Sequence, residues 1–280
     1  MILDGKKLSK NILNNISLEI KTLKNKPCLA VILVGDDYAS SVYVNKKIKT
    51  CNEVDIKSID YKLDKNYKEE DLLKLIDELN SNDEVNGILV QLPLPVHIDT
   101  KKIIKKISAK KDVDGFSPTN LGLLLSNDTP YFYPATPLGI MMLLEHYNIE
   151  VKAKNICIIN DSIIVGRPLA AMLLNKGASV SICHKLTKNL KDYTLNADII
   201  ISATGVLHLL DDSFFNENAI AIDVGICKKE NNKLISGDIN YEKVANKIKA
   251  ISPVPGGVGP MTIAALMFNT LKSYKEKNND

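Results

Sequence analysis

The sequence predicts an α/β protein of two lobes, and three observations carry that expectation. Largely apolar runs of strand length, at residues 29–34, 87–92, 156–159 and 219–225, alternate with stretches of helical periodicity. Parallel strands covered on both faces by crossover helices leave this pattern, because neither face of such a strand meets water. Residues 155–184 compress it into strand, turn, helix and strand within about thirty residues, a βαβ unit. The length of 280 residues favours two lobes over one.

Residues 8–23 repeat apolar side chains at helical spacing, Leu8, Ile12, Ile16 and Ile20, with polar residues between. Residues 29–34 form a buried strand ending at Gly35-Asp36-Asp37, and the helix that follows over 39–53 has Val44, Ile48 and Cys51 as its apolar stripe. At roughly 100° per residue, Ser40, Tyr43 and Lys47 cluster on one flank of that stripe, at an edge between core and solvent. Residues 72–79 make another amphipathic helix. The strand at 87–92 runs into Pro93-Leu94-Pro95, which cannot continue a central strand, so Gln91 belongs at the strand end where parallel sheets gather ligands.

A short helix precedes the turn at residues 111–116, residues 131–137 read as a connector, and 138–147 are apolar on several faces and therefore largely buried. The strand at 156–159 is broken by Asn160-Asp161-Ser162. The next helix is expected to start near Ser162, to carry Pro168 early and to stop at Gly177 before the strand at 179–183. Two further strands, 197–202 and 219–225, run into small residues, as strands do where a cofactor approaches the backbone. The segment 253–260 is too rich in Gly and Pro to be regular, 261–271 reads as an apolar helix, and 272–280 as a polar tail.

Hydrophobic residues make up 45% and charged residues 25% of the chain, ordinary for a globular protein. The net charge of +3, from 36 basic and 33 acidic residues scattered together, offers no basic patch interleaved with aromatics and argues against a nucleic-acid partner. Five cysteines, Cys28, Cys51, Cys157, Cys183 and Cys227, include no Cys-x-x-Cys pair and read as core packing rather than as disulfides or metal ligands. The N-terminal residues lack a basic segment followed by an apolar one, and no run reaches transmembrane length. A cytoplasmic protein without membrane contact is expected.

Dinucleotides bind βαβ units with their pyrophosphate against the helix N-terminus, where free N–H groups and the macrodipole favour an anion. Asn160 and Ser162 stand where the glycine fingerprint usually has glycine, and only Gly166 remains, so an ordinary α/β crossover fits the same residues.

Six separated segments resemble one family, the bifunctional methylenetetrahydrofolate dehydrogenase/cyclohydrolases. They are Ser40-Ser41-Val42-Tyr43-Val44-Asn45-Lys46-Lys47, Gly87-Ile88-Leu89-Val90-Gln91-Leu92-Pro93-Leu94-Pro95, Lys111-Asp112-Val113-Asp114-Gly115-Phe116, Thr136-Pro137-Leu138-Gly139, Ile164-Val165-Gly166-Arg167-Pro168 and Pro255-Gly256-Gly257-Val258-Gly259-Pro260-Met261-Thr262. They occur in the family's order and span nearly the whole chain. The resemblance implies two α/β lobes flanking a cleft, the C-terminal lobe a Rossmann-like doubly wound parallel sheet. It divides the chain into a folate-binding catalytic domain, residues 1–135 plus 261–280, and a dinucleotide-binding domain, residues 136–260. The implied reactions are oxidation of 5,10-methylenetetrahydrofolate by hydride transfer to NAD(P)⁺ and hydrolysis of the methenyl product to 10-formyltetrahydrofolate, in one-carbon metabolism, by a homodimer.

Carried over residue by residue, the resemblance makes Lys47 the catalytic lysine, Gln91 the amide that positions it, and Asp114 the carboxylate that receives the pterin's paired N–H groups. Hydrolysis must move a proton from water, and a lysine beside a cationic substrate in a partly dry site has its ammonium form disfavoured. Tyr43 is implied to stack on the folate ring, with Ser40, Pro255, Gly256 and Gly257 also lining the substrate. Asp112, two residues before Asp114, is expected to be structural. A monofunctional dehydrogenase is the alternative, and the presence of Lys47 argues against it.

The implied cofactor residues are Asn160, Asp161, Ser162, Gly166, His184, Lys185, Thr204, Gly205 and Ile226. Many family members read Gly-Arg-Ser where this chain has Asn160-Asp161-Ser162, and the arginine is expected to hold the 2′-phosphate of NADP⁺. Asp161 would repel that phosphate, whereas Lys185 supplies countercharge after Cys183-His184. The balance leans to NADP⁺, with NAD⁺ as the alternative. No metal is expected.

Overall fold

The computed structural model describes residues 1–228 and 235–279. The chain divides into two compact units. One comprises residues 11–123, 128–135 and 263–280 around a three-stranded sheet, and the other residues 1–10, 124–127 and 136–262 around a five-stranded one. Among the described residues no helix is long and apolar enough to cross a membrane.

The first half of the chain runs α1 (Gly5–Ile20), β1 (Cys28–Val34), α2 (Tyr38–Glu53), β2 (Lys57–Leu63), α3 (Glu69–Ser81), β3 (Gly87–Val90), α4 (Thr100–Lys106) and α5 (Pro118–Leu125). β1 lies between β2 and β3, parallel to both, and every residue of β1 and β3 is buried. Ile32, Ile88, Ile76 and Ile103 form the core between this sheet and its helices. The sequence reading lacks β2. Ile59, Tyr61 and Leu63 pack half-buried against the core and alternate with the more exposed Asp60 and Lys62, so β2, paired with all seven residues of β1, shows no continuous apolar run.

The second half contains α6 (Ala135–His146), β4 (Asn155–Ile159), α7 (Gly166–Asn175), β5 (Ser179–Cys183), α8 (Leu190–Thr194), β6 (Ile199–Ser202), β7 (Ile220–Asp223), a hairpin of β8 (Cys227–Lys228) and β9 (Ile235–Ser236), α9 (Tyr241–Val244), β10 (Ala250–Ile251) and α10 (Val258–Asn279). The large sheet is parallel throughout, in the order β10-β7-β6-β4-β5. The chain leaves β4 to one side for β5 and returns to the other side for β6. The C-terminal ends of β4 and β6 therefore form the switch point at which doubly wound sheets open a crevice.

Three expected boundaries move. Residues 1–10 pack in the five-stranded unit, because the Leu3 N–H donates to the Ile251 carbonyl (2.9 Å) and the Ile251 N–H to that of Met1 (3.0 Å), extending the sheet beside β10. The supposed polar tail is the end of α10. Tyr274 is buried there with its hydroxyl accepting from the Asn25 N–H (3.3 Å), and Lys277 pairs with Asp83 (2.7 Å). α7 begins at Gly166, four residues after the expected start at Ser162, for a reason found in the turn described next.

Candidate active site

α2 starts where the Asp37 carboxylate accepts the Ser40 N–H (2.8 Å), which sets the phase of the helix. Ser40 and Lys47 are then both buried, Lys47 with only 5% of its surface exposed, and Tyr43 is half-buried between them. This is deeper than the solvent edge expected from spacing alone. The Lys47 Nζ donates to Gln91 Oε1 at 3.1 Å and lies 5.1 Å from the centre of the Tyr43 ring. Gln91 follows β3 directly; its N–H continues the ladder to Ile32 and its Nε2 donates to the Leu92 carbonyl (2.6 Å), so the side chain is held at both ends.

Burial lowers the Lys47 pKa below the ordinary lysine range, and the nearby Asp114 charge opposes that shift. Burial likewise raises Asp114, with Lys47 pulling it back. Each group thus feels the other inside the three-stranded unit. Asp114 is carried on a loop organised by Asp112, as expected. Asp112 Oδ1 accepts from the Gly115 N–H (3.1 Å), and Oδ2 from the Ser117 N–H (2.6 Å) and Asn120 Nδ2 (2.9 Å). Burial pushes that carboxyl up to about 6 while the Ser117 and Asn120 donors hold it down.

In the five-stranded unit, Asn160 explains the late start of α7. Its Oδ1 accepts from the Ser162 N–H (2.9 Å), the Ser162 hydroxyl (2.6 Å) and the Gly166 N–H (3.0 Å), and its Nδ2 donates to the Ala203 carbonyl (2.6 Å). The side chain therefore builds the turn and ties the end of β4 to the end of β6. Gly166 keeps the third place of the fingerprint because a Cβ there would stand 1.9 Å from the Asn160 carbonyl oxygen. Asp161 is exposed, and its carbonyl accepts from Arg167 Nε (2.8 Å), which lays the chain's only arginine along the turn.

His184 and Lys185 are exposed just beyond β5, in a turn where the His184 N–H donates to Thr187 Oγ1 (2.9 Å). Thr204 and Gly205 follow β6, and the exposed Ile226 follows β7. Pro255, Gly256 and Gly257 belong to the five-stranded unit, whereas Ser40, Tyr43, Lys47, Gln91 and Asp114 share the three-stranded one. Two features escaped the sequence reading. Arg167 had a signal, as the lone arginine in a helix's first turn; the buried Asp223 and Asp238 had none, because their partners lie in other elements.

A doubly wound sheet with small residues at its switch point, in a chain whose other unit buries a lysine against an amide, defines an α/β protein of dinucleotide-enzyme type. The comparisons name the family. Residues 3–114 match "Tetrahydrofolate dehydrogenase/cyclohydrolase, catalytic domain" and residues 134–278 match "Tetrahydrofolate dehydrogenase/cyclohydrolase, NAD(P)-binding domain". The chain is 53% identical over 281 residues to the bifunctional protein FolD of Aquifex aeolicus, covering 99% of this chain and 96% of that protein. The crystal structure of the bifunctional FolD of Campylobacter jejuni superposes with a TM-score of 0.97 at 50% identity, covering 99% of each chain. The Trypanosoma brucei enzyme, solved with NADP cofactor and inhibitor, gives 0.96 at 30% identity, covering 100% of this chain and 99% of that one. The chain belongs to the tetrahydrofolate dehydrogenase/cyclohydrolase family.

Proposed function

We propose that this chain oxidises 5,10-methylenetetrahydrofolate with NADP⁺ and hydrolyses the resulting 5,10-methenyltetrahydrofolate to 10-formyltetrahydrofolate. The observation that carries the hydrolytic half is the buried Lys47 held by Gln91 in a family of this activity. Its neutral amine donates one N–H to Gln91 Oε1 and keeps its lone pair for the proton of the attacking water. Desolvation, which disfavours the ammonium, keeps that amine populated nearer neutral pH. Tyr43 offers the folate ring a flat surface, and Asp114 offers the pterin N–H groups a paired acceptor.

The residues at the switch point fit a dinucleotide. Gly166 lets α7 pack closely against the end of β4, and Asn160, Ser162, Thr204 and Gly205 are small enough for the backbone to be approached. The nicotinamide, when bound, accepts the hydride. The protein's part is to hold donor and acceptor carbons in contact, since orientation supplies most of what such a step needs. Lys185 and Arg167 favour NADP⁺; the exposed Asp161 carboxylate is the one observation that favours NAD⁺ as a second reading. We further propose a cytoplasmic homodimer, as the family resemblance implies, with light scattering as its check.

The test is a paired assay of both reactions with NAD⁺ and NADP⁺ in parallel. The expected result is reduced cofactor with NADP⁺ ahead of NAD⁺, and methenyl hydrolysis that needs neither. No reduced nicotinamide with either cofactor would overturn the dehydrogenase half, and hydrolysis no faster than in buffer the other.

A further inference from the structure

Two aspartates with no place in the chemistry above are almost wholly buried at the ends of β6 and β7, Asp223 with 3% and Asp238 with 0% of its surface exposed. Asp223 closes β7 and its carboxylate accepts three backbone N–H groups: those of Gly225 and Asp238 on Oδ1, both at 3.0 Å, and that of Ile239 on Oδ2 at 2.8 Å. Asp238, beyond the hairpin, sends Oδ2 to the end of β6, where it accepts the Ser202 hydroxyl (2.7 Å) and the Thr204 N–H (2.6 Å). The two carboxylates are interlocked. A Cβ at Gly225 would lie 2.0 Å from Asp238 Oδ1, and one at Gly237 would lie 2.0 Å from Asp223 Oδ2.

We propose that Asp223 and Asp238 are positioning residues for the dinucleotide, fixing the backbone of residues 203–206 and 224–227 through their carboxylates. The proposal rests on the reading of Thr204, Gly205 and Ile226 as cofactor contacts. The carboxylates are the acceptors of the Thr204 and Gly225 N–H groups, so losing them obliges each amide to move towards another acceptor or to stay unpaired. A move displaces the residue next to it, Gly205 or Ile226, and an amide left unpaired no longer fixes that residue in place. The donor sets also differ in a testable way. Asp238 makes both of its short bonds through one oxygen, so an amide with its oxygen in that place preserves them. Asp223 uses both oxygens to accept N–H groups, and an amide would turn its own NH₂ against one of them.

The experiment compares Asp238→Ala, Asp238→Asn and Asp223→Asn with the wild type, measuring NADP⁺ affinity and stoichiometry by calorimetry, with methenyl hydrolysis without dinucleotide as the control for the three-stranded unit and thermal melting followed by circular dichroism as the control for the five-stranded one. Asp238→Ala and Asp223→Asn are expected to weaken NADP⁺ binding about tenfold while leaving hydrolysis near the wild-type rate, and Asp238→Asn to bind nearly as the wild type does. A purely structural role would lower the melting temperature and the binding stoichiometry of Asp223→Asn and leave the Kd of its folded fraction equal to that of Asp238→Asn. Should Asp238→Ala fail to fold, the comparison of the asparagine variants decides: equal affinities overturn the proposal. Wild-type binding with unchanged affinity in every variant also overturns it alone, whereas no binding by the wild type overturns the cofactor reading together with it.

Discussion

At the scale of the residue, Lys47 stands in an environment foreign to its type. Lysine stems are buried often but ammonium groups seldom, and here desolvation acts on the whole head group with a neutral amide as hydrogen-bond partner. Removing it by Lys47→Ala should lower methenyl hydrolysis by about 10²–10⁴-fold, the range for a positioned proton acceptor, with the fold retained in circular dichroism. The neighbouring carboxylate has a calculable sign. The Asp114 charge favours the ammonium and so raises the Lys47 pKa, against desolvation. In Asp114→Asn that support is lost, the lysine pKa falls further, and the pH at which hydrolysis reaches half its plateau should move down. A profile of kcat against pH at saturating substrate checks this; an unmoved or raised midpoint would separate the two groups electrostatically.

At the scale of the element, the turn between β4 and α7 depends on one side chain. Asn160→Ala deletes the acceptor of two backbone N–H groups and the link to the Ala203 carbonyl, in a half-buried place. A cost of about 1–3 kcal/mol is expected, read as a lower denaturant midpoint with unchanged slope, together with weaker dinucleotide binding. The same turn shows what a sequence makes legible. β4 and the body of α7 are visible because continuous apolar residues encode burial locally. The start of α7 is not, because it is set by a side chain reaching six residues ahead to Gly166. β2 and the last turns of α10 escape for a related reason: their apolar residues are interrupted by charged ones, and they are held by β1, by Asn25 and by Asp83, all distant in the chain. Lys47, Gln91 and Asp114 are far apart in sequence as well, and only the family resemblance joined them before the fold did.

For the whole molecule, the division into two units matters to how it should melt. Two compact units need not unfold in one step, and a ligand stabilises whatever it binds in the folded state. NADP⁺ at about a hundred times its Kd should add about 2.7 kcal/mol to the five-stranded unit, seen as a higher Tm in calorimetry. If two transitions are resolved, one should respond more than the other; a thermogram unchanged by NADP⁺ would count against the cofactor reading. The cysteines have a practical consequence at this scale. All five are free and buried, and burial pushes each thiol up, Cys51 to about 12, so none is a ready nucleophile. A single substitution of the fully exposed Val96, Val96→Cys, a few residues past Gln91, would then be the preferred target of a maleimide dye. Folate arrival could be followed by fluorescence on an otherwise native chain, with no background thiols to delete.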